Sequence, residues 1–237
     1  MANNASPERI PLILTRPKPA SESFFATLPE IVRARLDPIF SPLIKIVDLS
    51  TPIAMSRQDA AIFTSANGVE FAPEGGGRTA FCIGDATTQA AKRRGWAAKQ
   101  AGLDAKALIA TLIAKRPKQR LFHLSGKHTR GDVAGHLDQS GLSVEHLTLY
   151  DQQLCDLTET AENSLLREKR VIVPLFSPRT AAQFVAVAPR TTSVHVISLS
   201  ASVADAFGSA PLASLTIATQ PDAQAMGAAI DELTKTT

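Results

Sequence analysis

Seven hydroxyl side chains recur in one kind of place along this chain. Thr15, Thr64, Ser65, Thr87, Ser125, Ser177 and Ser200 each follow a short apolar run and precede a helical pattern. A hydroxyl there caps a helix, its oxygen accepting from a backbone N–H that has no partner inside the helix. In an open α/β sheet the same turns lie at the carboxyl edge of the strands, where ligands bind. Helix N-termini at that edge present free N–H groups and a positive dipole end, which suit anions. Basic residues fall beside the hydroxyls: Arg16 after Thr15, Lys127 and Arg130 after Ser125, and Arg179 after Ser177. The pattern predicts a site for a ligand with several carboxylates or phosphates. Lys92, Arg93 and Arg94 precede Gly95 and read only as complements to a helix C-terminus.

Other chemistry is sparse. Asp85 sits in a strand-end turn and reads as an exposed capping carboxylate. His123 and His128 are five residues apart, not the i, i+4 spacing of a helical zinc pair. His123 falls in a strand pattern and reads as a core or edge histidine. Cys82 reads as a buried thiol, and with Cys155 it shows neither metal-ligand spacing nor a disulfide framework. No Gly-x-Ser-x-Gly elbow and no Walker loop occurs, and Gly75-Gly76-Gly77 reads as a turn, not a dinucleotide fingerprint. Neither a metal nor a cofactor is expected. Tyr150 is the only tyrosine. It reads either as an amphipathic strand residue or as a phenol donating a hydrogen bond to a leaving group. In a regular strand it would share a face with His146 and Thr148.

Apolar runs of four to six residues alternate with helical patterns along the chain, the mark of parallel sheets covered on both faces. The alternation repeats. Ile62-Phe63-Thr64-Ser65 is echoed 113 residues later by Leu175-Phe176-Ser177-Pro178, and Cys82-Ile83-Gly84 is echoed 114 residues later by Val196-Ile197-Ser198. Asp104 and Asp222 each open a further helix as caps. A fourth echo is out of order: Leu121-Phe122-His123-Leu124-Ser125 resembles Pro11-Leu12-Ile13-Leu14-Thr15 at the N-terminus. A circularly permuted duplication accounts for this order. It predicts two similar flavodoxin-like parallel-sheet domains, one split (1–36 plus 153–237) and one inserted (38–148). The crossings near 37–47 and 144–153 would pair as a two-stranded linker, with a ligand cleft between the domains.

Hydrophobic residues make up 44% and charged residues 20% of the 237, enough for a buried core. No apolar run approaches the roughly 20 residues that span a bilayer, and no secretory pattern opens the chain, so a cytoplasmic protein without membrane contact is expected. The net charge is only +3 and aromatics are 5%, with one Trp and one Tyr, which argues against a nucleic-acid partner.

Leu14-Thr15-Arg16-Pro17, Phe63-Thr64-Ser65, Ile83-Gly84-Asp85-Ala86-Thr87, Leu149-Tyr150, Phe176-Ser177-Pro178 and Pro221 before an Ala-rich helix, taken in order, resemble the uroporphyrinogen-III synthase family over almost the whole chain. The resemblance implies a monomeric lyase of haem biosynthesis. Such an enzyme cyclises hydroxymethylbilane, a linear tetrapyrrole with eight carboxylates, losing water and inverting ring D. It implies no metal and no cofactor. Tyr150 matches the tyrosine that helps the hydroxyl depart. Thr64, Ser65, Thr87, Ser177 and Ser200 match substrate-binding positions, and Thr15, Arg16, Gly84, Ser125, Gly126, Lys127 and Pro178 complete the expected binding set. Three departures stand out: Ile197-Ser198 replaces a second Ile-Gly turn, Pro73 cuts short the helix after Ser65, and Ser125-Gly126 stands where the family has Arg-Gly. The other function class that fits this composition is a two-lobed cytoplasmic small-anion binding protein without catalysis. A receiver is excluded, because the first strand ends in Thr15-Arg16 with no acidic cluster.

Overall fold

The computed structural model describes residues 9–129 and 131–235, so Arg130 lies outside the described residues. In chain order the elements are β1 (Ile10–Leu14), α1 (Lys18–Thr27), α2 (Glu30–Arg33), β2 (Leu36–Phe40), β3 (Ile44–Asp48), β4 (Ala60–Phe63), α3 (Ala66–Phe71), β5 (Thr79–Ile83), α4 (Gly84–Arg93), β6 (Ala97–Gly102), α5 (Ala105–Lys115), β7 (Leu121–Gly126), α6 (Val133–Gln139) and β8 (Val144–Leu154). They continue as α7 (Glu159–Arg167), β9 (Val171–Leu175), α8 (Pro178–Val187), β10 (Val194–Ser198), α9 (Ala201–Ala204), β11 (Ser214–Ile217) and α10 (Ala223–Lys235). The chain divides into two compact units: residues 46–152, and the stretch up to 45 with that from 153 onward.

The apolar runs form two sheets, one of order β11-β10-β9-β1-β2 and one of order β3-β8-β7-β4-β5-β6. β1 pairs in parallel with β2 and β9, and β10 with β9 and β11. In the other sheet β4 pairs in parallel with β5 and β7, β5 with β6, and β7 with β8. Helices on both faces bury the alternate side chains of each strand. On β4, Ala61 and Phe63 pack with Phe122, Leu124 and Trp96, whereas Ala60 and Ile62 pack with Leu108, Leu112 and Leu121. In the split unit Ile13, Val171 and Val173 serve one face, and Leu12, Leu14 and Ile172 the other. Burying one such Leu, Ile or Phe contributes about 1.5–3 kcal/mol.

Several sequence expectations change. In residues 46–152 the strands β4 to β8, taken in chain order as first to fifth, lie as 3-2-1-4-5. That is the doubly wound order of dinucleotide folds, whereas β1, β2, β9, β10 and β11 of the split unit, counted the same way, lie in the flavodoxin-like order 2-1-3-4-5 that the sequence predicts for both; alternation of strands and helices does not encode which side of the sheet each crossover takes. Pro38 to Phe40, expected in the inserted domain, are the second half of β2 and pair with Leu12 to Leu14. Arg94 does more than complement a dipole. Its guanidinium donates to the carbonyls of Glu70 (2.9 Å) and Ala72 (3.0 Å), and so ends the short α3. Finally, the β7–β8 register slips between Ser125 and Gly126, so that Ser125 faces Thr148 but Gly126 faces Tyr150. Leu149 is the extra residue of a β-bulge.

Candidate functional site

In the 3-2-1-4-5 order the chain reverses its direction of travel between β4 and β7. Crevices at the carboxyl ends of strands open at such a switch point. A pocket of about 690 Å³ lies there, lined by Thr64, Ser65 and Asn67 after β4, Ile83 of β5, residues 103–106 before and within α5, Gly126 at the end of β7, His128, Thr129 and Gly131 after it, and Tyr150 and Gln152 of β8. Thr64, Ser65, Gly126 and Tyr150, four of the expected site residues, meet in it. Ser65 is the cap of α3, its Oγ accepting from the Gly68 N–H at 3.3 Å. Gly68 cannot carry a side chain, because a Cβ would stand 2.6 Å from the Leu124 carbonyl oxygen. That close approach brings the start of α3 against β7.

Tyr150 is 4% exposed. Its ring stacks on Phe71 (centroids 5.4 Å apart, planes at 28°), and its hydroxyl lies 3.0 Å from Ser65 Oγ. Gly126 is the floor beneath the ring: a Cβ there would fall 2.5 Å from Tyr150 Cε2 and Cζ. The backbone fixes the same pairing, since Lys127 N–H donates to the Tyr150 carbonyl at 2.9 Å. Beside it, Asp151 lies between Lys127 (3.6 Å) and His128 (3.4 Å). Lys106 brings positive charge to the pocket, and His128 an imidazole. Lys106 stands in the first turn of α5, where the helix dipole opposes a cation, so a bound anion would relieve it.

The bulge separates Tyr150 from His146. Leu147, Leu149 and Tyr150 pack on one face with Phe122 and Leu124, whereas His146 stacks on His123 (5.0 Å, 25°) and reaches Ser125 Oγ at 2.7 Å. The shared face expected of 146, 148 and 150 is therefore lost. Ser125 is 2% exposed inside β7 and caps no helix; α6 is capped by Asp132 instead. His123 is 2% exposed with Nε2 unpartnered. Burial, then the neighbouring His146, push its pKa down to about 4, with Asp132 opposing. Burial pushes the Cys82 thiol up to about 11, partly offset by a hydrogen bond with Thr88. Thr87 is buried one turn inside α4, because β5 runs straight into that helix and Gly84 opens it. Gly84 adopts φ +70° with nothing within 4 Å of a would-be Cβ, so its backbone is open to close approach.

The family model described as uroporphyrinogen-III synthase HemD matches residues 25–228. The chain belongs to the uroporphyrinogen-III synthase family. With the family comes its function, uroporphyrinogen-III synthesis in tetrapyrrole biosynthesis, carried out by an enzyme on a tetrapyrrole substrate. The crystal structure of uroporphyrinogen-III synthetase from Helicobacter pylori shares the fold, with a TM-score of 0.65 at 15% identity over 95% of this chain and 99% of that one. A mutant uroporphyrinogen III synthase from Thermus thermophilus aligns over the same shares at 15% identity, with a TM-score of 0.47. None of the curated proteins matches. Among the described residues no helix is long and apolar enough to cross a membrane.

In the split unit of this uroporphyrinogen-III synthase family member, the reversal of strand order falls between β9 and β1. Ser177 there caps α8, its Oγ accepting from Thr180 N–H at 3.2 Å, with Pro178 as the first helical residue. The Arg16 guanidinium lies 4.7 Å over the Phe176 ring, and burial lowers its pKa. Thr15 is 1% exposed with Oγ1 unpartnered, and it is not a cap, since Pro17 holds that position before α1. Ser200 precedes α9 but makes no cap bond and pairs with Ser202 Oγ at 3.0 Å. Ser198 is fully buried in β10 with its hydroxyl unpartnered. Asn67, Lys106 and Thr129 are pocket residues that the sequence pattern did not single out, and His128, which its spacing excludes only as a helical metal ligand, joins them. Asn67 and Lys106 follow strand ends by the same rule that singled out the hydroxyls, and the rule extended to amides and ammonium groups would have found them.

Proposed function

We propose that this chain converts hydroxymethylbilane to uroporphyrinogen III as a hydro-lyase, inverting ring D as the macrocycle closes. The observation that carries this reading is a phenol held rigidly at the switch-point pocket among groups that favour anions. Tyr150 gives its proton to the hydroxyl oxygen as the carbon–oxygen bond breaks, and water leaves with the bonding electron pair. A pyrrole nitrogen lone pair stabilises the remaining cation as an azafulvene. The proton that a pyrrole carbon loses on ring closure restores the phenol. The residues mainly orient rings that are reactive by themselves. Thr64, Gly84, Gly126, Lys127, His128 and Lys106 of the 46–152 unit hold substrate carboxylates, and Arg16, Ser177, Pro178 and Ser200 of the split unit offer further anion contacts, with the buried Thr15 behind them. Thr87 and Ser125 support the site from within the core.

A permuted duplication is part of the same reading. β9, β10 and β11 run outward from β1 and β2 as β4, β5 and β6 run outward from β7 and β8, which supports a common ancestor for the two units. In this reading the two-stranded linker is made of β3 and β8, which are neighbours in one sheet. The protein acts in the cytoplasm as a monomer without metal or cofactor and binds no nucleic acid. The test is to mix purified protein with freshly generated hydroxymethylbilane. Uroporphyrinogen III as the product supports the reading. Spontaneous cyclisation to isomer I alone would leave only a binding protein.

A further inference from the structure

The polarity of the Ser65–Tyr150 hydrogen bond follows from the helix cap. Ser65 Oγ has two partners, the Gly68 N–H at 3.3 Å and the Tyr150 hydroxyl at 3.0 Å. The cap uses the serine as an acceptor, and the other backbone groups facing a cap in the first turn of a helix are also donors. Of the two groups bonded to Ser65 Oγ, only the phenol oxygen can accept the serine proton. Accepting from Gly68 also polarises the serine O–H and strengthens its donation onward. The phenol is fixed independently of this bond, between Phe71 on one side and the backbone of Gly126 on the other. Its ring cannot swing to follow a different partner. With the oxygen occupied by the serine proton, the phenolic proton turns away from Ser65 and toward the open pocket.

We propose that Ser65 is a positioning residue: by donating to Tyr150 it keeps the phenolic proton aimed at the bound substrate. The role rests on Tyr150 acting as the proton donor in the proposed reaction. Here Ser65 acts through the tyrosine, which is a different role from holding a substrate carboxylate.

Because the chain has one tyrosine, the tyrosine Fermi doublet in its Raman spectrum reports Tyr150 alone, and its intensity ratio separates an accepting phenol from a donating one. Ser65→Gly keeps most of the cap, since Gly costs only a few tenths of a kcal/mol at that position, but removes the donor. In substrate-free protein the ratio should move toward a phenol that has lost an acceptor role. A ratio that stays put, or moves toward a lost donor role, overturns the assignment. In turnover Ser65→Gly should lower kcat roughly two- to tenfold, the worth of one hydrogen bond, with KM and melting temperature nearly unchanged, and Ser65→Thr should restore kcat. A fall confined to KM would make Ser65 a substrate contact and overturn the positioning role. Should the parent protein form no uroporphyrinogen III, the proposed function fails while the Raman comparison still reports the bond's polarity.

Discussion

Tyr150 owes its position to residues that do no chemistry themselves. Phe71 flanks the ring, Gly126 leaves room beneath it, and the bulge at Leu149 turns it onto the pocket face. General-acid assistance is worth about 10²–10⁴-fold, and the bilane ionises readily by itself, so the low end applies. Tyr150→Phe should lower kcat by roughly ten- to a hundredfold while isomer III remains the product. Stopped-flow turnover with isomer analysis checks both, and a Phe variant with parental kcat would remove the phenol from the mechanism. On the opposite face of β7, His123 gives the molecule a pH dependence. Its pKa falls to about 4, through burial first and His146 second, against an ordinary value of about 6.5. The unfolded chain therefore takes up this proton between pH 6.5 and 4 while the folded chain does not. The stabilisation is complete above about pH 6.5 and is lost as pH falls toward 4, on the order of 3 kcal/mol in all. His123→Leu strands no partner of Nε2. It should flatten stability against pH across that window in urea titrations, and an unchanged slope would assign the acid sensitivity elsewhere.

At the scale of elements, the sequence identified the strands and most helix starts, because apolar runs ending in a hydroxyl or Asp are a local signal. Ser65, Ser177, Asp104 and Asp222 all accept from a backbone N–H three residues on. The same local signal misleads at Thr15, Thr87 and Ser125. An apolar run followed by a hydroxyl looks alike whether the strand stops, runs directly into a helix as at Ile83-Gly84, or continues one more residue beside its partner as at Ser125-Gly126. Only the neighbouring strand decides, and that is long-range information. Strand order and the bulge are long-range in the same sense, so the switch point was not readable, nor was the meeting of Asn67 and Lys106 with Thr64, Ser65, Gly126 and Tyr150 in the pocket. The distinction between real and apparent caps is measurable. Ser177→Ala should cost about 1 kcal/mol, because it strands the Thr180 N–H. Ser200→Ala should stay within about 0.5 kcal/mol, because that hydroxyl holds no backbone donor. Chemical denaturation of the two variants ranks them, and equal losses would contradict the cap geometry.

At the scale of the molecule, the chain passes between its units only at residues 45–46 and 152–153, and each unit has apolar clusters on both faces of its own sheet. Each described cluster is made of residues of one unit, which gives the two separate grounds for stability. The one tryptophan makes this testable. Trp96 is 3% exposed in the 46–152 unit, edge-on to Phe63 at 5.2 Å and beneath the Arg78 guanidinium at 4.9 Å, so its fluorescence follows that unit alone. Far-ultraviolet circular dichroism follows both. Coincident transitions by different probes are the mark of a single cooperative unit, and here the two curves in urea should separate. The separation should also respond to pH. His123 lies in the unit that Trp96 reports, and lowering the pH from 6.5 toward 4 should draw the fluorescence midpoint to lower urea. His195 in the split unit is lowered by burial and then by Arg170, so the dichroism midpoint falls in the same direction. In His123→Leu the fluorescence midpoint should resist acid while the remaining dichroism transition still moves. Superimposable curves at every pH would instead mean that the two units unfold as one.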